Sequence, residues 1–88
     1  MRWVYSFDER ALRELQKLDR QAQREILVYL DTRITGTQDP RRFGKPLRAT
    51  LAGLWRYRVR DYRLICQIQD HRLLVLVVSV GHRKNVYD

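Results

Sequence analysis

The sequence has little cysteine, histidine or glycine, and each shortage excludes a class of protein. A single cysteine, Cys66, rules out an internal disulfide, so the fold needs no oxidising compartment. The two histidines and the scattered carboxylates show no metal-ligand spacing. No glycine-rich phosphate loop and no Ser-His-Asp arrangement is present. We therefore expect neither a metal nor a cofactor.

Long apolar runs are also missing. The longest, residues 73–78, is far too short to cross a bilayer. Charge resumes at Asp8, before an N-terminal signal segment could form. We therefore expect a soluble cytoplasmic protein with no membrane partner. With 88 residues, 44% of them hydrophobic, the chain is expected to form a single domain over residues 1–88.

Lysine is scarce, whereas arginine is abundant. The chain has 18 Lys and Arg residues against 10 Asp and Glu residues, a formal net charge of +8, and lysine occurs only at Lys17, Lys45 and Lys84. Such an excess favours a polyanionic partner, which can be nucleic acid, a membrane surface or an acidic protein. Arginine suits bidentate phosphate contacts and stacking on bases. Composition also leaves an alternative open, in which the excess positive charge only keeps the protein soluble and binds no partner.

The first half of the chain predicts a strand and two helices. Residues 2–6 alternate and predict a short strand. Ser6 and Asp8 stand where the cap of a first helix belongs, and Asp19 can cap a second helix. The first helix is predicted over about residues 8–18, and the second ends before Gly36. Apolar residues recur at helical spacing: Ala11, Leu12, Leu15 and Leu18, then Ala22, Ile26, Tyr29, Leu30 and Ile34. With almost no linker, the helices form an antiparallel hairpin.

The second half has a period of two and predicts strands. Residues 54–60 form the first, with Trp55, Tyr57 and Val59 on one face and Arg56, Arg58 and Arg60 on the other. Two more strands follow, 63–69 and 72–80, with turns at 61–62 and 70–71 and a loop at 35–46 before the sheet. The apolar strand 72–80 is expected to be central, beside strand 2–6. The predicted fold class is α+β, in the order βααβββ, with the helical hairpin on a small, mostly antiparallel sheet.

The arginines of strand 54–60 are the main candidate for a site. Like charges at spacing two oppose folding unless an anion neutralises them. Arg63 opens the next strand and can lie close to Arg58 and Arg60 across the hairpin. The tail 81–87 adds further polar groups, namely His82, Arg83, Lys84 and Tyr87. The alternative is a charged edge strand that merely resists aggregation.

Cleavage of a phosphodiester by its own ribose 2′-hydroxyl is one reaction that such residues can promote. The nucleophile must be aligned, charge on the phosphoryl oxygens must be stabilised, and protons must be moved. Arginines can supply only the second, because they stay protonated. Tyr87 or His82 would then move the proton, or geometry would do most of the work. His82 can also be an ordinary tail histidine and Tyr87 a packing aromatic, while Cys66 is predicted to be a core residue.

Three segments carry a resemblance to a known family: VYSFDERALRELQKL, KPLRATLAGLWRYRVRDYRLICQI and VLVVSVGHRKNVYD. Over essentially its whole length the chain resembles the RelE/ParE superfamily of bacterial type II toxins, in its RelE-like branch. This resemblance implies a RelE-like fold and a metal-independent endoribonuclease. Such toxins cut messenger RNA in the ribosomal A site by 2′-hydroxyl attack.

The resemblance also implies a set of site residues. The catalytic positions match Arg56, Arg58, Arg63, Arg83 and Tyr87. We expect a second group to bind RNA, namely Arg60, Lys45, Arg48, His82 and Lys84. The strand pair is often lysine in RelE, so two arginines here keep phosphate binding but weaken any role in proton donation. The chain ends one residue after Tyr87, so we expect a more open site than in relatives that carry a further helix.

The resemblance implies partners as well as rival functions. A cognate antitoxin should be acidic, amphipathic and partly disordered, folding as it binds. The other partners are the ribosome and its messenger RNA, and operator DNA only through the antitoxin complex. ParE-type relatives share the fold but inhibit DNA gyrase. A non-catalytic relative that only binds antitoxin and acts in operon autorepression is the third alternative.

Overall fold

A computed structural model describes residues 2–82 of the chain. The sheet has the order β1-β5-β4-β3-β2, in which β1 and β5 are parallel and every other pair is antiparallel. The predicted α+β fold is confirmed, and so is the placement of the first strand beside the last. The elements in chain order are β1 (Val4–Phe7), α1 (Glu9–Gln16), α2 (Arg20–Arg33), β2 (Lys45–Pro46), β3 (Trp55–Val59), β4 (Tyr62–Gln69) and β5 (Leu74–His82).

Both helices begin where the sequence provides a capping aspartate. Asp8 Oδ1 accepts a hydrogen bond from the Ala11 N–H at 2.8 Å, and Asp19 Oδ1 accepts one from the Ala22 N–H at 2.7 Å. Each carboxylate satisfies an N–H that has no partner within its helix. Gly36 follows α2 with φ +79°, the left-handed conformation typical of a helix end. Within residues 2–82, neither helix is long and apolar enough to cross a membrane.

The helical hairpin covers one face of the sheet, here called the helix face. The predicted stripe of α2 lies against it, with Ile26, Leu30 and Ile34 fully buried. Cys66 is a core residue as predicted, and its complete burial raises the pKa of the thiol. The sheet contributes Tyr57, Val59, Leu64, Cys66, Val75, Val77 and Val80 to the same core cluster.

The segment predicted as a loop ends in a strand that the sequence pattern did not predict. Lys45 and Pro46 pair with Arg56 and Trp55 of β3, so the sheet gains an edge strand. A proline fits here because its missing N–H is tolerated at a sheet edge. The extra strand moves the centre of the sheet. The last strand, β5, was expected to be central, but β4 takes the middle position and β5 lies between β4 and β1.

The turn between β3 and β4 also differs from its prediction. Val59 pairs with Tyr62, so the two turn residues are Arg60 and Asp61, one position earlier than expected. Arg60 lies outside β3 with φ +53°, and it does not share the face of Arg56. The prediction that Arg60 continues the arginine face of the strand was therefore wrong.

Candidate functional site

The second face of the sheet, opposite the helix face, carries a row of basic side chains, and we call it the open face. Strand alternation places Arg56 and Arg58 there, because the intervening Tyr57 is fully buried under α2. Arg58 lies directly opposite Arg63 of β4, and Arg63 in turn pairs with Gly81 of β5. The structure thus brings together three of the predicted catalytic residues.

The edge strand β2 extends this row by one cation. Lys45 pairs directly with Arg56, so the two side chains share the open face. The basic strip, defined as Lys45, Arg56, Arg58 and Arg63, therefore runs across three strands. Residues directly opposite each other in an antiparallel pair have Cβ atoms about 5 Å apart, and a like-charged pair at that distance is destabilising. A bound polyanion would remove this repulsion.

The segment that carries Lys45, Arg56 and Arg58 contains no acidic residue. Residues 40–60 include seven Lys and Arg residues and no Asp or Glu. Two of these cations have acidic partners from elsewhere: Arg41 bonds Asp70 in a bidentate pair, and Arg60 Nε lies 3.0 Å from Glu25 Oε2. Within residues 2–82, Lys45 and Arg58 form no ion pair. Both of these side chains are exposed and can meet an anionic ligand.

Two hydrogen bonds fix the loop that precedes β2. The buried Tyr57 hydroxyl donates to the Pro40 carbonyl at 2.6 Å, and Trp55 Nε1 donates to the Phe43 carbonyl at 2.7 Å. Both donors come from β3, the strand that also carries Arg56 and Arg58. Burial raises the pKa of the Tyr57 hydroxyl, so it stays a protonated donor. The loop therefore holds Lys45 in a fixed position within the basic strip.

The remaining predicted RNA contacts are not all on the open face. His82 pairs with Tyr62, and their rings meet edge to face 5.7 Å apart at the end of the helix face. His82 therefore lies on the opposite side of the sheet from Arg63. Arg48 is exposed just after β2, at the start of the short turn Ala49–Leu51. Arg83, Lys84 and Tyr87 lie outside the described residues.

The Arg60 side chain takes a direction that the sequence did not predict. It reaches α2, where Glu25 holds it, and no signal in the sequence marked Glu25 as its partner. The left-handed backbone at Arg60 redirects the side chain towards the helices. Arg60 therefore contributes positive charge beside the helices and not to the basic strip.

A groove separates α2 from the part of β3 that β2 does not cover. It encloses about 530 Å³, and a smaller groove of about 230 Å³ adjoins Lys45 and Arg56. Both grooves share Tyr29 and Arg58. Val28, which is 52% exposed, supplies apolar surface to the larger one. Its other charged lining residues are Arg24, Glu25, Arg33 and Arg60.

Among residues 2–82, no group of three or more His, Cys, Asp or Glu side chains is placed to hold a metal ion. The open face carries the guanidinium and ammonium groups of the basic strip. Such groups bind phosphate oxygens through charge and hydrogen bonds.

Comparison with known proteins decides the family. The family model described as the ParE toxin of the type II toxin-antitoxin system, parDE, matches residues 5–87. Toxin RelG of Mycobacterium tuberculosis is 32% identical over 87 residues, covering 99% of this chain and 98% of that protein. The chain belongs to the RelE/ParE superfamily of type II toxins. Among its superfamily relatives, the mRNA interferase toxin RelE of Escherichia coli is 31% identical, with 96% of this chain and 86% of RelE covered.

Solved structures of RelBE toxin-antitoxin complexes have the same fold as this RelE-like toxin. The toxin-antitoxin complex RelBE2 of M. tuberculosis contains a chain with a TM-score of 0.84 and 30% identity, covering 97% of this chain and 95% of that one. A chain of the intact E. coli RelBE toxin-antitoxin complex superimposes on this protein with a TM-score of 0.72 and 28% identity. The match covers 91% of this chain and 95% of the RelBE chain. The RelE-like fold expected from the sequence is therefore confirmed.

Proposed function

We propose that this RelE-like toxin is an endoribonuclease that cuts messenger RNA in the ribosomal A site. The ribose 2′-oxygen would lose its proton and form a bond to the neighbouring phosphorus, and the bond from that phosphorus to the 5′-oxygen would break. The 5′-oxygen would take up a proton as it leaves, so the products would be a 2′,3′-cyclic phosphate end and a 5′-hydroxyl end. The observation that carries the proposal is the basic strip, in which Arg58 lies directly opposite Arg63 on a sheet face that neither helix covers. The relatives named mRNA interferase support it.

In this proposal the arginines act on charge and leave proton transfer to another group. Arg58 and Arg63 bind phosphoryl oxygens and stabilise the negative charge that grows there in the transition state. They cannot accept the 2′-hydroxyl proton, because guanidinium groups stay protonated. His82 lies on the helix face, away from the strip. We therefore assign proton transfer to Tyr87 and a further phosphate contact to Arg83, both on the family resemblance.

Cleavage is expected only when ribosomes are present. The strip is suited to binding a phosphate, but it contains no acid–base pair to move protons. Alignment of the 2′-hydroxyl is a separate requirement, and in this proposal the ribosome-held messenger provides it. Primer extension should map cuts on a translated messenger and none on the same RNA without ribosomes. An Arg58→Gln protein purified in parallel controls for contaminating nuclease. Efficient cutting of naked RNA would contradict the ribosome-dependent mechanism.

Inhibition of DNA gyrase is the second candidate, because the matching family model is named for ParE. A basic face can also meet DNA or an acidic protein surface. A supercoiling assay with purified gyrase separates the two candidates. Loss of supercoiling together with intact messenger would reverse our choice.

We further propose that a cognate antitoxin binds the groove between α2 and β3. The solved relatives are toxin-antitoxin complexes, which supports such a partner. The groove combines exposed apolar surface at Val28 with four arginines and one glutamate, a lining suited to an acidic amphipathic segment. Because Arg58 borders both the groove and the strip, an antitoxin seated there would also compete with RNA.

Charge reversal at Arg24 is expected to weaken antitoxin binding about tenfold, because a like charge would then face the acidic segment. The antitoxin would be the small acidic protein encoded in the same operon, and the affinity would be measured by calorimetry. Arg20→Glu is the matched control, since Arg20 is an exposed residue of α2 that does not line the groove. Equal affinities of the two variants would place the antitoxin elsewhere.

A further inference from the structure

The last strand of the sheet extends beyond its parallel neighbour. Pairing of β1 with β5 ends where Phe7 meets Val77, and the Asp8 N–H then donates to the Val77 carbonyl at 3.0 Å. The chain turns there into α1, while β5 continues through residues 78–82. This end of β5 has β4 on one side, and on the other side it faces α1.

Glu14 of α1 takes the place of a strand partner at this end. Its Oε1 accepts a hydrogen bond from the Val80 N–H at 2.8 Å, joining residues 66 apart in the sequence. Its Oε2 lies 3.6 Å from Arg10 Nε, and 30% of the side chain is exposed. A carboxylate acceptor makes a stronger bond than a neutral one. Glu14 thus fixes the backbone of Val80 from outside the sheet.

Val80, whose N–H bonds Glu14, lies just after a shift in the pairing register of β5. Ile65 pairs with Ser79, but Cys66 pairs with Val77, so Val78 is an extra residue in a β-bulge. A one-residue shift reverses the face of every side chain that follows. The bulge therefore puts Val80 on the helix face and Gly81 beside Arg63 on the open face. Without it the two would exchange faces.

We propose that Glu14 is a positioning residue for the catalytic reaction, acting through the bulged end of β5. By holding Val80, it fixes the face and direction of β5 up to His82, the residue that directly precedes Arg83. This inference rests on the proposed function, in which those two residues contact the messenger. Glu14 itself touches neither the basic strip nor, in this proposal, the RNA.

Substitution of Glu14 tests the proposal on the rate of cleavage. Glu14→Ala is expected to lower the single-turnover rate at saturating ribosomes roughly tenfold to a hundredfold, because a small misplacement of catalytic groups is costly. The ribosome concentration at half-maximal rate should change less than twofold. Glu14→Gln keeps an oxygen acceptor for the Val80 N–H and should recover most of the rate. Glu9→Ala is the control, since Glu9 lies on α1 and contacts Arg13.

Amide hydrogen exchange gives a measure that does not depend on activity. In Glu14→Ala, the amide of Val80 should exchange at least about ten times faster, while that of Val75 keeps its protection. Unchanged exchange in this variant, or wild-type cleavage despite faster exchange, would overturn the positioning role. A wild-type protein that fails to cut ribosome-bound messenger would overturn the proposed function instead, and exchange would still decide whether Glu14 holds β5.

Discussion

Replacing Arg58 by glutamine is expected to slow messenger cleavage on the ribosome about 100-fold or more. Arg58 is exposed at the centre of the basic strip, directly opposite Arg63. Removal of one group that stabilises developing negative charge typically costs 10²–10³-fold in rate, roughly 3–4 kcal/mol. Glutamine keeps most of the length of the side chain and its hydrogen-bonding ability, so the loss reports mainly on charge. Single-turnover primer extension at saturating ribosomes measures it.

The same substitution is expected to stabilise the protein. Arg58 and Arg63 repel each other across the strand pair, and relief of one such pair contributes roughly 0.5 kcal/mol to the free energy of unfolding. Arg72→Gln is the matched control, because Arg72 is an exposed arginine in the turn at the other end of β4. It should change neither the rate nor the stability appreciably. An equally active Arg58→Gln protein would contradict the phosphate-binding role of the strip. A less stable one would contradict the repulsion between Arg58 and Arg63.

The sequence predicted those parts of the fold that depend on local pattern. Periods of 3.6 and two distinguished helices from strands, and Asp8 and Asp19 marked the two helix starts because each satisfies N–H groups that the helix leaves free. The alternation in β3 also predicted that Arg56 and Arg58 share a face, since Tyr57 between them must be buried. Local pattern therefore accounts for half of the basic strip.

The parts that were missed depend on pairing between distant segments. A two-residue strand such as β2 has no period to detect, so the position of Lys45 opposite Arg56 appears only in the sheet register. The turn was misplaced because alternation continues through Arg60, whereas the pairing of Val59 with Tyr62 closes the ladder one residue earlier. Arg60 then leaves the strip.

The face of His82 is a further example. Val77 lies on the helix face. If side chains alternated regularly from there along β5, His82 would lie on the open face with Arg63. The bulge at Val78 adds one residue and reverses that assignment. Neighbouring β-branched residues give no cue to where a bulge falls, and the carboxylate that bonds the strand beyond it comes from α1. The proton-transfer role therefore stays with Tyr87 in our proposal.

Gly44 is the residue on which the missed edge strand depends, and Gly44→Ala is expected to destabilise the protein by roughly 3 kcal/mol or more. Its φ is +77°, and an added Cβ would overlap the Arg56 carbonyl and approach Trp55 Nε1 to 2.7 Å and Tyr57 Cδ1 to 2.9 Å. These three atoms belong to residues of β3. Gly44 could move away from them only if the loop separated from the sheet. Urea unfolding measures the loss.

Gly36→Ala separates the steric effect from backbone strain. Gly36 has nearly the same φ, +79°, but an added Cβ there meets no atom within 4 Å. Strain alone should lower the free energy of unfolding by about 1–2 kcal/mol. The difference between the two variants then measures how tightly Gly44 is packed against β3. Because that packing sets Lys45 opposite Arg56, Gly44→Ala should also weaken messenger binding under conditions where it stays folded, whereas Gly36→Ala should not. Equal stability of the two variants would show that β2 is not held by this contact.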